Sequence, residues 1–330
     1  MTSCPVCGSL PRPLFPLAGF PGGDNFFLQC QSCGHGMLAK HYAPAHSYLS
    51  GGTEYSRRGS DWFLSHVGGK FACALDFGCN DGYLLRQVRA GRLIGVDNAT
   101  VSAGIECHAE LDTVDAAPDL VISRHTLEHL PDPAATLKAL VEKAAPHALF
   151  AIEVPCMDLL AESLRFDQIY NEHLQYFSVG SFRRMLNDCG LTERHLILHR
   201  HPHSMLAIAF KDHYRSMKWR PLELEPRFAA FKTWMLATGS AFMQSRRRFA
   251  YGASAIFPVL LYHLGIAPSQ LEAVLDDDHA KVGLDFYGRC IHSPYDVSDA
   301  TVLVTAPDSF APILRKLGDA RHVMPSVPLL

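Results

Sequence analysis

The sequence has no long hydrophobic run and no concentration of positive charge. A stretch of about eighteen apolar residues, enough to span a membrane, occurs nowhere. The first residues, MTSCPVCGSLPRP, have neither the basic start nor the apolar core of a signal peptide. The net charge is −3 and the longest basic run is Arg246-Arg247-Arg248, so clustered Lys and Arg for nucleic-acid binding are lacking. We therefore expect a cytoplasmic protein that acts on a small molecule, with neither nucleic acid nor membrane as a partner.

Cysteine is abundant, but the sequence lacks the setting of a disulfide-stabilised protein. There are 10 cysteines in 330 residues, whereas disulfide-stabilised domains are usually small and secreted. Four form two CxxC pairs, and the others stand singly, which is typical of reduced thiols in a core or loop. With 48% hydrophobic and 19% charged residues, the chain has the composition of a soluble globular protein and the length for about two or three domains.

The two CxxC pairs lie in a head region that is rich in Cys, Pro and Gly, and each pair is followed by a glycine. Their cysteines are Cys4, Cys7, Cys30 and Cys33. Each pair can direct two thiolates to one tetrahedral Zn²⁺, and the glycine lets the backbone turn back towards the sulfur atoms. We predict a structural zinc ribbon, whose four thiolates leave no open coordination position. A redox pair is the alternative, and the nearby His35 and His41 are not expected to be ligands.

From residue 71 to about 210, short apolar runs alternate with helical stretches. The apolar runs are FACALDFG, RLIGVD, DLVISR and ALFAIEVP. Apolar strands separated by helices predict a parallel sheet with helices on both faces. HLILHRH and MLAIAFK predict two adjacent strands that close this sheet, for a total of about six or seven strands. The helix before them, SFRRMLNDCG, is expected to be capped by Ser181 and to end at Gly190.

The last third of the chain repeats this alternation on a smaller scale. Residues 211–247 are predicted to be helical. RFAYGASAIFPVLLYHLG, LEAVLDDD and ATVLVTAP then give a strand, a glycine turn, a helix, a strand that ends in an acid, and another strand. We therefore predict a second, smaller α/β domain with a Rossmann-like sheet.

The segment LDFGCNDGYLL has the pattern of a cofactor-binding loop. Asp76 comes at the end of a strand, and Gly78, Asn80 and Gly82 occupy alternate positions before a predicted helix. Such a loop lets backbone amides approach a ligand at the carboxyl end of a sheet. Asp97 ends the next strand, where an acid can accept hydrogen bonds from both ribose hydroxyls of a nucleoside cofactor.

Two cofactor classes use this layout, NAD(P) and S-adenosylmethionine. A dinucleotide site has the pattern GxGxxG and a helix N-terminus that is free to hold the pyrophosphate. Here Asp81 lies inside the turn, which disfavours a diphosphate but suits a cationic sulfonium and its amino group. Asn80 replaces a glycine, and Asn adopts left-handed backbone geometry more readily than other residues with side chains. We predict S-adenosylmethionine, with a dinucleotide site and a purely structural turn as alternatives.

The segment SRHTLEHLPDP follows the third strand and brings polar side chains to the same edge of the sheet. These are Arg124, His125, Glu128 and His129. The segment looks like the loop after the corresponding strand in class I S-adenosylmethionine methyltransferases, and we expect His125 to contribute to the cofactor site. Because it contains two histidines and a glutamate, a second metal site is an alternative.

The segment FDQIYNEHLQYFS interleaves proton-transferring side chains with aromatic ones. If it is helical, Phe166, Tyr170, His173 and Phe177 fall on one face, and Glu172 lies on an adjacent face. A histidine titrates near neutral pH, and a neighbouring Glu or Tyr can orient its ring and raise its basicity. His173 is therefore a candidate base, and the alternative is that Tyr170 and His173 are core residues with satisfied hydrogen bonds.

The order of these motifs resembles that of the bacterial deoxysugar C-methyltransferases. The resemblance rests on the CxxC pairs, AHSYLSGGTEYS, DFGCNDG, SRHTLEHLPDP, AIEVP, FDQIYNEHLQYFS and the late YGAS segment, and it covers nearly the whole chain. It implies a zinc-binding domain over residues 1–46 and a class I S-adenosylmethionine-dependent methyltransferase domain with a Rossmann-like sheet over residues 47–210. It further implies an α/β substrate-binding domain over residues 211–330.

The resemblance also implies site residues and a reaction. The catalytic Y-x-E-H of the family falls on Tyr170, Glu172 and His173, and the family's tyrosine after the zinc domain would be Tyr48 or Tyr55. The family's substrates are nucleotide-linked 4-keto sugars, in which the carbon beside the ketone loses a proton before it attacks the sulfonium methyl. His173 would be the base, while Tyr170 and Glu172 would orient it or form a hydrogen bond with the enolate.

Two departures from the family pattern concern the substrate. His201-Pro202-His203-Ser204 stands where relatives tend to have HGGS, and no Lys-Gly-Asn run follows the YGA of the last domain. These departures favour the alternative of an O- or N-methyltransferase that acts on another small metabolite. A zinc-ribbon RNA methyltransferase is a third hypothesis, which the lack of clustered Lys and Arg disfavours.

Overall fold

The computed structural model describes residues 3–21, 23–40, 54–97, 104–200, 202–211, 222–294, 300–317 and 323–328. The chain divides into two compact units. The first comprises Met1–Pro13, Leu28–Met157 and Leu174–Leu222, and the second comprises Leu14–Phe27, Asp158–His173 and Glu223–Leu330. The predicted domain ranges 1–46, 47–210 and 211–330 remain a prediction.

The strands of the described residues are numbered in chain order. They are β1 Pro11–Leu17, β2 Asn25–Cys30, β3 Gly36–Leu38, β4 Phe71–Phe77, β5 Ala90–Val96, β6 Glu106–His108, β7 Leu120–Arg124, β8 Leu149–Pro155, β9 Gln175–Tyr176, β10 Leu191–His199, β11 Ser204–Lys211, β12 Arg248–Tyr251, β13 Ala273–Leu275, β14 Asp285–Phe286, β15 Arg289–His292, β16 Thr301–Val304 and β17 Val323–Pro325.

The α-helices are numbered in the same way. They are α1 Glu54–His66, α2 Pro133–Lys143, α3 Met157–Glu162, α4 Val179–Asp188, α5 Glu225–Met243, α6 Phe257–Leu264 and α7 Phe310–Leu317. Among the described helices, none has the combination of length and apolar character that crossing a bilayer would need.

The largest sheet has the strand order β10-β11-β8-β7-β4-β5-β6. Strands β4 to β8 are parallel, β11 runs antiparallel to β8, and β10 antiparallel to β11. The chain leaves β4 for β5 on one side and later returns to β7 on the other, so β4 and β7 flank the point where the strand order reverses. Ligands of open parallel sheets bind at this point. The predicted class I methyltransferase sheet, with its two closing strands, is confirmed.

The core of the first unit is an apolar layer against this sheet. Its fully buried members include Phe63 of α1, Leu120 and Ile122 of β7, and Leu206 of β11. Buried strands of parallel sheets are apolar along their length, because both faces are covered. This is why short apolar runs in the sequence predicted the strands correctly.

The last sheet has the order β14-β15-β13-β12-β16-β17 and confirms the predicted second α/β sheet. Strands β15, β13, β12, β16 and β17 are parallel, and β14 forms an antiparallel hairpin with β15. Phe249, Tyr251, Leu275 and Val302 are buried in its core. A smaller sheet at the start of the chain has the order β1-β2-β3-β9.

Helix boundaries agree with the predictions less closely than strands do. Asp132 caps α2 by accepting a hydrogen bond from the Ala135 amide at 2.9 Å. The predicted cap of α4, Ser181, is wrong: Ser178 is the N-cap, and Ser181 completes a capping box three residues later. Both serines accept hydrogen bonds from backbone amides at the start of the helix, so the sequence pattern is compatible with either serine as the N-cap.

One further helix prediction is wrong, and the condition that FDQIYNEHLQYFS be helical is not met. The loop after β4 leads only into a 3₁₀ turn at Leu85–Gln87, where an α-helix is predicted. In FDQIYNEHLQYFS only Phe166–Gln168 is helical, as a single 3₁₀ turn, and the segment ends in the short strand β9. Strand pairing of β9 with β3 provides its backbone partners in place of helical ones.

Candidate active site

The four predicted zinc ligands meet in one cluster of the first unit. The sulfur atoms of Cys4 and Cys33 are 3.4 Å apart, as are those of Cys7 and Cys30, and all four sulfur atoms lie within 4.8 Å of one another. Tetrahedral zinc with Zn–S bonds of about 2.3 Å places its sulfur ligands about 3.8 Å apart, so these four thiols fit the ion. They would hold it with no position left for a substrate.

The backbone around the cysteines has the form that the glycines predict. Gly8 and Gly34 have φ of 73° and 65°, a region that favours glycine. Their amides donate to the carbonyls of Cys4 and Cys30 at 2.8 and 2.7 Å, which folds each pair into a tight turn. His35 does not belong to the group of ligand atoms that the four sulfur atoms form, and its Nε2 lies 2.9 Å from Oε1 of Gln175. His41 lies outside the described residues.

In the loop after β4, Gly78, Asn80 and Gly82 all have positive φ. Asn80 has φ of 49°, so Asn supplies the left-handed residue that a glycine usually provides. Its amide donates to Oδ2 of Asp97 at 2.8 Å, which joins the loop to the residue after β5. Gly78, at φ 84°, packs so closely that an added Cβ would lie 2.1 Å from Oγ1 of Thr126. Gly82, at φ 73°, completes the turn.

Asp76 lies at the point where the strand order reverses. It pairs in register with Gly95 of β5 on one side and Ile122 of β7 on the other. Only 3% of it is exposed, and its Oδ1 has no hydrogen-bond partner among the described atoms. Burial raises the pKa of Asp76 to about 7. A buried carboxyl oxygen without a partner is costly, and a donor group of a bound cofactor would satisfy it.

His125 lies at the end of β7 between two carboxylates. Its Nδ1 is 3.2 Å from Oε1 of Glu128, and its Nε2 is 3.5 Å from Oε1 of Glu153. Burial would lower the pKa of His125, but Glu153 and Glu128 outweigh it and raise the pKa to about 9. The ring is therefore charged at neutral pH, and it holds φ of 51°, which is rare for a residue with a side chain. Because both ring nitrogens face protein carboxylates, His125 would interact with a cofactor through its positive charge and not through a hydrogen bond.

Glu153 of β8 is the centre of this network, and the sequence reading did not select it. Arg124 donates to its Oε2 at 2.7 Å, and Ser204 of β11 donates to its Oε1 at 2.5 Å. Burial would raise the pKa of Glu153, but His125 and Arg124 lower it to about 2. The only signal in the sequence is a glutamate inside the apolar run ALFAIEVP, because a fully buried glutamate requires a charged partner.

The second unit holds the predicted acid and base residues. The Oη of Tyr170 and Nε2 of His173 form a hydrogen bond of 2.8 Å, and their rings are 4.3 Å apart. The residues meet through a turn, in which the His173 amide donates to the Tyr170 carbonyl at 3.1 Å. His173 is buried and Glu172 is half-buried. Tyr287 lies at the tip of the β14–β15 hairpin. Its pKa is raised mainly by burial and also by the negative charge of Glu172.

The predicted tyrosine after the zinc-binding region is not located by the structure. Tyr48 lies outside the described residues. Tyr55 belongs to α1, whose backbone is described from Glu54 to His66. The choice between these two tyrosines therefore remains a prediction.

Residues 53–196 match the family model described as "Methyltransferase domain". Over 134 residues the chain is 33% identical to the C-methyltransferase NovU of Streptomyces niveus. The match covers 36% of this chain and 32% of that relative. The chain thus spans about a third of the length of the curated relative. The first match lies within the region predicted to be a methyltransferase domain, and the second supports the family resemblance found in the sequence.

Two solved structures that resemble part of this chain are distant from it in sequence. The N-methyltransferase NodS of Bradyrhizobium japonicum WM9, in complex with S-adenosylhomocysteine, has a TM-score of 0.39 at 14% identity and covers 48% of this chain and 89% of its own. An O-methyltransferase family protein of Burkholderia thailandensis has a TM-score of 0.39 at 13% identity and covers 48% of this chain and 57% of its own. At this level of similarity the two structures add nothing about what the chain acts on.

Proposed function

We propose that this chain, whose residues 53–196 match a methyltransferase domain, uses S-adenosylmethionine to methylate a carbon atom of a nucleotide-linked keto sugar. The observation that carries the proposal is the hydrogen bond of 2.8 Å between Tyr170 and His173, inside the segment that resembles the family's catalytic one. The identity of 33% to a C-methyltransferase supports the same reaction class.

The cofactor would lie where the strand order of the large sheet reverses. Backbone groups from Gly78 to Gly82 and the carboxylate of Asp97, which are joined by a hydrogen bond, would contact its nucleoside. Oδ1 of Asp76 would accept a hydrogen bond from one of its donor groups. The positive charge of His125 would interact with the amino-acid end of the cofactor. When bound, S-adenosylmethionine supplies a methyl group activated by a sulfonium.

The acid–base step would be carried by Tyr170 and His173 together. His173 would be the base, and the Tyr170 hydroxyl, 2.8 Å from Nε2 of His173, would donate to the ketone oxygen. When the ring accepts the carbon-bound proton, its positive charge makes the Tyr170 hydroxyl a stronger donor, just as charge develops on the enolate oxygen. Proton removal and enolate stabilisation are thereby coupled. The enolate carbon then attacks the methyl, a step that requires mainly alignment.

This step predicts solvent exchange at the carbon beside the ketone. In D₂O, the enzyme with a nucleotide 4-keto sugar and S-adenosylhomocysteine should incorporate deuterium at that carbon, as measured by NMR. His173→Ala should abolish the exchange and Tyr170→Phe should slow it by about 10²-fold or more, the contribution of one positioned donor.

The matched control is His279→Ala, because His279 is an exposed histidine of the same unit. It should exchange at the wild-type rate. Exchange that persists in His173→Ala would exclude His173 as the base. If no 4-keto sugar exchanges with wild type while labelled methyl groups still reach another small metabolite, the O- or N-methyltransferase alternative replaces the carbon reaction.

A further inference from the structure

The short strand β9 joins the cysteine cluster to the proposed catalytic segment. It begins two residues after His173 and pairs with β3, with Gly36 opposite Tyr176 and Met37 opposite Gln175. Strand β3 in turn begins two residues after the second cysteine turn, residues 30–34. A pairing this short is not stable by itself in water, so other contacts must hold it.

The side chains of His35 and Gln175 supply one such contact. His35 is 0% exposed and Gln175 3%, and His35 Nε2 lies 2.9 Å from Gln175 Oε1. The amide nitrogen of Gln175 donates to the carbonyls of Leu130 and Pro131 at 2.9 and 3.3 Å. Its Oε1 is therefore the atom left to accept from the Nε2–H of His35.

His35 is fixed by the cysteine turn itself. Its carbonyl accepts a hydrogen bond from the Cys30 amide at 2.9 Å, and it follows Cys33 by two residues. Its ring also lies 4.8 Å from the ring of Phe177. The position of this imidazole thus depends on the fold of the turn, and the turn depends on whatever holds its four thiolates together.

The backbone of Leu174 completes the junction. Its amide donates to the Glu128 carbonyl at 2.8 Å, and its carbonyl accepts from the Leu38 amide at 3.1 Å. The residue directly after His173 is thereby fixed between β3 and the loop that follows β7. That loop carries His125 and Glu128, which belong to the proposed cofactor side.

We infer that the zinc-binding turn is part of the catalytic architecture: His35 and Gln175 are positioning residues that transmit its fold to the segment carrying His173. The inference rests on the proposed function for the role of His173, but the coupling itself does not. Zinc would thus set catalytic geometry without contacting the substrate. In enzymes a displacement of about 1 Å at the reacting groups lowers the rate by about 10²-fold.

The coupling is tested by hydrogen exchange of the full-length chain, with and without a zinc chelator. Removal of zinc should speed amide exchange in residues 174–177, while β4 and β5 keep their protection. Unchanged exchange in residues 174–177 would overturn the inference, because zinc would then have no effect on this segment. An equal loss of protection in β4 and β5 would also overturn it, because zinc would then stabilise the whole fold.

The positioning role is tested by Gln175→Met, which keeps the length of the side chain but removes its amide. The matched control is Gln29→Met. Gln29 is also 3% exposed, lies on β2, and donates to a backbone carbonyl, that of Leu222 at 2.8 Å, but does not contact residues 174–177 in any described hydrogen bond. Both variants should retain zinc and lose similar thermal stability.

Only Gln175→Met should lower kcat for methyl transfer, by about 10- to 100-fold with little change in KM or in S-adenosylhomocysteine affinity. Equal kcat values in the two variants would overturn the positioning role. If wild type transfers no methyl group to any keto sugar, the proposed function fails, and the exchange experiment still decides the coupling.

Discussion

Substituting Glu153 by Gln tests whether burial determines how much the Arg124–Glu153 ion pair contributes to the free energy of unfolding. The Arg124–Glu153 pair has an N–O distance of 2.7 Å, with side-chain exposures of 16% and 0%. On the same sheet, Arg92 and Glu106 are also 2.7 Å apart, but their side chains are 44% and 37% exposed. The pKa values of both glutamates are lowered to about 2, so neither geometry nor pKa distinguishes the pairs.

Burial predicts very different costs for the same substitution in the two pairs. In Glu153→Gln, a largely buried guanidinium loses its charged partner, which costs about 3–5 kcal/mol. In Glu106→Gln, water replaces the lost contact, and the cost is below about 1 kcal/mol. The first variant should therefore melt about 6–20 °C below wild type, and the second within about 4 °C of it.

Urea denaturation of both variants at neutral pH measures these free energies of unfolding. The Glu153→Gln variant should also lower the pKa of His125 from about 9, as followed by NMR of the imidazole, because Glu153 is the main group that raises it. Equal costs for the two substitutions would refute the reasoning, since exposure would then have no bearing on the strength of either pair.

Two further substitutions, at His263 and Gly78, test other parts of the account. Burial, and then Lys232, lower the pKa of His263 to about 3 from its ordinary 6.5, so between these values the unfolded chain binds the additional proton and acidification destabilises the fold. His263→Phe should make the loss of stability from pH 6.5 to pH 4 shallower by up to about 1.4 kcal/mol per pH unit in urea titrations, and an unchanged slope would contradict this. Gly78→Ala should destabilise the fold by more than Gly104→Ala and weaken S-adenosylhomocysteine binding in calorimetry. Both glycines have positive φ, but only at Gly78 does an added Cβ meet another residue, Thr126; equal effects would show that Thr126 accommodates it.

The sequence predicted the parts of the fold that depend on local chemistry. The cysteine turns follow from CxxC-Gly, and the left-handed Asn80 follows from the properties of Asn itself. The strands of both α/β sheets are buried apolar runs, whose pattern differs from that of the loops between them. For these elements, neighbouring residues contain nearly all of the necessary information.

The parts that were missed depend on contacts between distant segments. Tyr170 and His173 are three residues apart, a spacing that a helix and a turn share, so periodicity could not distinguish the two. Strand β9 has two residues and exists because β3 lies beside it. Glu153 and Ser204 meet only through the antiparallel register of β8 and β11, in which Val154 lies opposite Met205. No local pattern specifies such a register.

The proposal of carbon methylation is tested most directly by the position of the transferred methyl group. The enzyme would be incubated with S-adenosylmethionine labelled with ¹³C in the methyl group and with nucleotide 4-keto sugars, and the product analysed by NMR. The proposal predicts a labelled methyl group bonded to the ring carbon beside the ketone. A label bonded to oxygen or nitrogen would contradict it.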